Sequence, residues 1–245
     1  MKHCVLNIPH ASTNGLFDAN FSGWNPTPHF INSCVNRFTD WYTDYLFATD
    51  SSLVSPVVFP YSRFVCDAER LWNDPKEQEG QGIVYKHFAD HVRENLTPEI
   101  EQHAFALWND HQNNLKNAMH ENCVLIDCHS FPSDMSKYDI CIGFNNDWSY
   151  DEGLVAIVKS TFEINGFSVG FNTPFSHSIT PKTDFMYKSL MIEVNKQVYM
   201  DEQTLMLKTD GDLWTRWFRC MDTIYKKIEC ACSDNKMDAF LARIL

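Results

Sequence analysis

Short apolar runs alternate with longer amphipathic stretches along this chain, and two of the short runs end alike. Cys123-Val124-Leu125-Ile126 stops at Asp127-Cys128-His129-Ser130, and Cys4-Val5-Leu6-Asn7-Ile8 stops at Pro9-His10-Ala11-Ser12. Runs of this length read as buried strands of the kind found in the middle of α/β sheets. Further strands are expected over 53–59, 61–70, 138–144, 167–171 and 189–195, the second of these passing from apolar into charged residues. Phe30, Cys34, Phe38, Trp41 and Tyr45 recur every three or four residues and predict one helix over 30–49. Thr97-Pro98-Glu99 supplies an N-cap, a first-turn proline and an acid at the positive end, opening a helix that runs to about His120. Helices are also expected over 151–165, closed by Gly166, and over 209–242, packed through Leu213, Trp217, Cys220, Ile224 and Ile228. The pattern predicts an α/β fold: a single domain over residues 1–245, with a mixed, mostly parallel sheet flanked by helices.

Composition changes this picture by exclusion. The net charge is −12 with no lysine- or arginine-rich block, which argues against nucleic acid or an anionic membrane as partner. No apolar run approaches the roughly 20 residues of a membrane span, and no signal-peptide pattern opens the chain. Nine cysteines, an odd number scattered among apolar neighbours, read as reduced thiols, so a cytoplasmic protein is expected.

The chemistry lies at the ends of the apolar runs. Ligands of open α/β sheets bind outside the carboxyl ends of the strands, so His10 and His129 are expected to meet there. Two neutral imidazoles suit zinc, and a catalytic zinc has three protein ligands and one open position. Glu193, between Ile192 and Val194, is a carboxylate in an apolar strand and the candidate general base. Asp67 is a candidate either for the third ligand or for orienting a histidine ligand through its second nitrogen. Arg70, and Arg63 beside it, are candidates for clamping a substrate carboxylate or an oxyanion. These roles together describe metal-assisted hydrolysis of an amide. A serine hydrolase fits poorly, because Ser12 and Ser130 follow histidines and no G-x-S-x-G turn exists. The alternative from another class is a non-catalytic ligand-binding protein that keeps the hydrolase fold.

The chain resembles the N-formylglutamate amidohydrolase family, a branch of the zinc carboxypeptidase-like hydrolases. The resemblance runs through Ile8-Pro9-His10-Ala11-Ser12, Ser62-Arg63, Asp67-Ala68-Glu69-Arg70, Glu77 and Gly80-Gln81-Gly82-Ile83-Val84-Tyr85. It continues through His111, Asp127-Cys128-His129-Ser130, Asn172-Thr173-Pro174, Ile192-Glu193-Val194-Asn195 and Tyr199-Met200-Asp201-Glu202. It implies a phosphorylase/hydrolase-like fold and one zinc per chain on His10 and His129 with Asp67 beside them. It also implies Arg70 on the substrate, Glu193 as base, and a small N-acyl (N-formyl) amino acid or short peptide as substrate. Thr13 stands where the carboxypeptidase group has a glutamate ligand, so the third ligand is left among Asp67, Glu69 and His111. Glu69 replaces an asparagine of the formylglutamate hydrolases, which sets a negative charge beside Arg70.

Overall fold

A computed structural model describes residues 4–209 and 211–233 of the chain. Its strands are β1 (Cys4–Ile8), β2 (Val54–Val58), β3 (His87–Phe88), β4 (His91–Val92), β5 (Val124–Phe131), β6 (Ile140–Gly143), β7 (Val169–Phe171), β8 (Lys188–Asn195), β9 (Met200–Asp201) and β10 (Met206–Leu207). The helices are α1 (Ala19–Ser22), α2 (Pro28–Phe30), α3 (Asn36–Phe38), α4 (Thr43–Leu46), α5 (Pro98–Ala118), α6 (Glu152–Ile164), α7 (Lys196–Tyr199) and α8 (Gly211–Ser233). Six strands form one sheet in the order β2-β1-β5-β8-β6-β7. Every pairing in it is parallel except β6 with β8, so the sheet is mixed and mostly parallel, as the apolar runs predict.

Alternation along the central strands sorts the residues onto two faces. Cys4, Leu6, Ile8, Val124, Ile126, Cys128, Leu190, Ile192 and Val194 point to one face, where α6 and α8 cover them with Val155, Val158, Phe162, Trp217, Ile224 and Ile228. Val5 and Leu125 point to the other, under Leu115 and Met119 at the end of α5. Asn7, Asp127, His129 and Glu193 fall on this second face too, near the strands' carboxyl ends. The first face is apolar along its middle, whereas the second gathers its polar side chains where the strands end.

Two sequence expectations are corrected. The helix predicted over 30–49 is broken into α2, a π-helical turn at Ile31–Val35, α3 and α4. Thr39 is extended at φ −76° and ψ 131°, and Tyr42 is left-handed at φ 65°. The apolar spacing survives because each fragment still packs inward, but tertiary partners take over the backbone groups of the break. The strand predicted over 61–70 is a series of buried turns, in which Val65 N–H donates to the Ser62 carbonyl and Arg70 N–H to the Asp67 carbonyl. Phe64, Val65 and Cys66 are buried by packing against aromatic and apolar side chains rather than by pairing. A short apolar run does not distinguish the two cases. The final helix is described to Ser233, and the part expected to reach 242 lies outside the described residues.

Candidate active site

Strand register brings the second-face polar residues together. Asn7 of β1 pairs with Asp127 of β5, and His129 of β5 pairs with Glu193 of β8. His10 follows β1 by two residues, after Pro9 ends the strand. Both imidazoles are buried, with ring centroids 5.1 Å apart.

Each ring has a carboxylate on its Nε2 side, and the two share a third on the Nδ1 side. His10 Nε2 is 2.7 Å from Asp67 Oδ1, and His129 Nε2 is 3.0 Å from Asp127 Oδ1. His129 Nδ1 lies 3.1 Å and His10 Nδ1 3.6 Å from one oxygen of Asp40. Asp67 is saturated: Arg63 and the Tyr85 hydroxyl donate to its Oδ2, and the Glu69 N–H donates to its Oδ1. Burial alone would raise its pKa, but His10, Arg63 and Arg70 outweigh that and hold it well below the usual carboxylate range. An ionised Asp67 accepts the proton on His10 Nε2 and leaves a lone pair on Nδ1. Asp127 likewise accepts from Asn7 Nδ2 at 2.8 Å and from the Ile179 N–H at 3.1 Å. Burial opposes a charge on His129, yet Asp127 and Glu69 hold its pKa well above the ordinary histidine value. Burial also opposes ionisation of Asp40, and hydrogen bonds to both histidines overcome it and push its pKa down.

Glu193 is buried between His129 on β5 and Cys141 on β6, and its Oε2 has no hydrogen-bond partner. Burial pushes its pKa well above the carboxylate range; the charges of Asp40, Glu69 and Asp127 add to this while His129 opposes it. Glu69, with its side chain 25% exposed, brings its carboxylate to 4.0 Å from the Nε2 of both rings. Arg70 is at the same edge, 3.5 Å from Asp67 through an Nε that makes no hydrogen bond. His111, buried on α5, does not reach the cluster; its Nε2 is 2.8 Å from Asn7 Oδ1. Neutral His111, Asn7 and Asp127 thus form a buried chain that ends behind His129. His177 is exposed in its loop, its Nδ1 2.8 Å from Ser176 Oγ.

Asp40 was not among the residues the sequence pointed to. It sits in the break between α3 and α4, off the apolar spacing, and nothing in the local pattern marks it. Its N–H donates to the His10 carbonyl at 3.0 Å, tying the break to the end of β1. Lys196, also unsuspected, is buried after β8 and donates from Nζ to the carbonyls of Arg37 and Thr39, the latter at 2.8 Å. Asn7 carried a usable signal, since a polar side chain inside an apolar strand needs a partner.

One ligand atom each from His10, Asp40 and His129 can lie within 4.8 Å of the others, as can sets from His10, Asp67 and Glu69 and from Glu69, Asp127 and His129. Two nitrogens and one oxygen suit a divalent ion of the zinc type. His10 Nδ1 is buried without a hydrogen-bond partner and faces Asp40, so the first set fits an ion without unseating any bond made by Asp67 or Asp127.

A mostly parallel α/β sheet with this cluster at its strand ends defines a hydrolase-like fold. The chain belongs to the N-formylglutamate amidohydrolase family, whose model matches residues 3–200. It is therefore placed among amidohydrolases, enzymes acting on amide bonds. The crystal structure of N-formylglutamate amidohydrolase from Ralstonia eutropha JMP134 is similar, with a TM-score of 0.75 at 18% identity, covering 93% of each chain. The gene product Atu2144 from Agrobacterium tumefaciens is also similar, with a TM-score of 0.60 at 14% identity, covering 95% of this chain and 92% of that one. No curated protein matches by sequence. Among the described residues, no helix is long and apolar enough to cross a membrane.

Proposed function

We propose that this chain is a zinc-dependent amidohydrolase that cleaves the amide of a small N-acyl amino acid or short peptide. The observation that carries the reading is the meeting of two buried imidazoles and Asp40 beside a buried glutamate with a partnerless oxygen. His10, His129 and Asp40 would hold one ion, with Asp67 fixing the His10 ring from behind and the charge of Asp127 beside His129 Nε2. Zinc in such a site supplies Lewis acidity and makes water acidic enough to attack near neutral pH. Glu193 takes the proton of the attacking water and returns it to the leaving nitrogen, a task suited to a carboxylate whose pKa is raised. Arg70, its side chain partly exposed, binds the substrate carboxylate through the end of its guanidinium, and Glu69 beside it disfavours a second carboxylate nearby. Arg63 is engaged by Asp67 and holds the site rather than the substrate. Cysteines that form no disulfide among the described residues suit a cytoplasmic enzyme.

Glu193→Gln tests the reading. The variant should keep the zinc held by His10, His129 and Asp40 and lose roughly 10²–10⁴-fold in kcat on N-formyl or N-acetyl amino acids, with KM little changed. A wild-type protein that holds zinc but turns over no N-acyl amino acid or dipeptide would favour the binding-protein reading.

A further inference from the structure

The turn between β3 and β4 meets the segment that begins at α2, away from the sheet. His29 lies within α2, Asp90 occupies the turn and His91 opens β4. His29 Nε2 is 3.4 Å from one oxygen of Asp90, and His91 Nε2 is 3.3 Å from the other. The two rings are 4.9 Å apart between centroids, and Ser33 Oγ is 3.4 Å from His91 Nε2. One ligand atom from each of His29, Asp90 and His91 can lie within 4.8 Å of the others. Around a tetrahedral ion with bonds of about 2.0–2.1 Å, neighbouring ligand atoms stand roughly 3.3 Å apart. Each nitrogen already stands at about that distance from one oxygen of Asp90, so a turn of the exposed carboxylate and a small closing of the rings would bring the three groups onto one ion.

The cluster is also anchored and open. The His91 ring packs edge-on against buried Phe30 at 4.9 Å, which limits its motion. The side chains of His29 and Asp90 are 68% and 72% exposed, so an ion can enter from solvent and complete its shell with water. We propose that His29, Asp90 and His91 form a second site for a divalent ion of the zinc class, independent of the active site. An ion there would join two elements about 60 residues apart, the β3–β4 hairpin and the start of the segment that leads to Asp40. The hairpin leans on the site as well: Phe88 packs against Phe38 and Tyr85, and the Tyr85 hydroxyl bonds Asp67. The second ion is therefore a clamp on the scaffold behind His10, and it takes no part in the chemistry.

The test is a titration of chelator-stripped full-length protein with Zn²⁺ or Co²⁺, followed by calorimetry and, for Co²⁺, absorbance. Wild type should bind two equivalents, His10→Ala one, and the double variant His29→Ala/His91→Ala one. Asp90→Asn should weaken the second equivalent at least tenfold, and the double variant should keep wild-type turnover. Two equivalents at unchanged affinity in the double variant would overturn the proposal, as would a single wild-type equivalent that His10→Ala abolishes. A single equivalent lost in the double variant but kept in His10→Ala would leave this site standing and remove the active-site ion instead. Retention of the other equivalent in each variant shows that it has folded.

Discussion

Carboxylates around His10 and His129 are chemically alike but differ in what already binds them. Asp67 has both oxygens engaged by Arg63, Tyr85, Glu69 N–H and His10 Nε2, whereas Asp40 offers an oxygen to the Nδ1 atoms of both rings. Asp40→Ala should therefore abolish tight zinc binding between His10 and His129. Asp67→Asn should retain the ion with affinity lowered about 10–100-fold, the usual effect of removing a group behind a ligand. Competition with a chromogenic chelator separates the two outcomes, and equal loss in both variants would make Asp67 a ligand in its own right. Glu69 is left as the free carboxylate at the rim, where it shapes which substrates approach Arg70.

At the scale of elements, the broken helix between α2 and α4 is the feature that completes the site. A continuous helix would carry Asp40 past the end of β1; the break lets its N–H bond the His10 carbonyl. The helix hydrogen bonds given up at Arg37 and Thr39 are replaced by Lys196 Nζ. Burial lowers the Lys196 pKa to about 8, and Asp40 and Glu202 limit the fall, so the amine is protonated and donating near neutrality. Lys196→Met should leave two buried carbonyls short of a donor and cost about 1–3 kcal/mol for each, measured by urea unfolding. The same variant should bind zinc more weakly although Lys196 touches no proposed ligand, and Lys196→Arg should restore part of both losses. Unchanged zinc affinity in the destabilised variant would separate the break from the metal site.

For the molecule as a whole, the buried polar layer links stability to pH. An unfolded histidine titrates near 6.5, but burial, reinforced by the neighbouring His10, which disfavours a second imidazolium, holds His111 down to about 4. Between those values the unfolded chain binds more protons than the folded one, so stability is full above pH 6.5 and falls as the pH drops toward 4. The difference of about 2.5 units corresponds to about 3 kcal/mol at the acid end. His111→Gln should flatten the stability curve between pH 7 and 4.5 relative to wild type. Identical slopes would show that His111 takes up its proton without unfolding the chain.

The sequence by itself determined the sheet and most of its partners. The apolar runs at β1, β5 and β8 had to be buried; the abrupt polar ends of the first two marked His10 and His129, and a carboxylate between Ile192 and Val194 marked Glu193, because a buried charge needs a reason. The Thr97-Pro98-Glu99 start of α5 was equally legible, since Thr97 caps the Ile100 N–H as local chemistry requires. Only the tertiary structure decided where the helix over 30–49 breaks, that 61–70 turns instead of pairing, that Asp40 meets both histidines and that Lys196 holds the break. Those outcomes depend on contacts between residues far apart in the chain: Asp40 N–H with the His10 carbonyl, and Lys196 with carbonyls more than 150 residues earlier. Periodicity records which side of an element faces inward, and it carries no information about which distant group waits there.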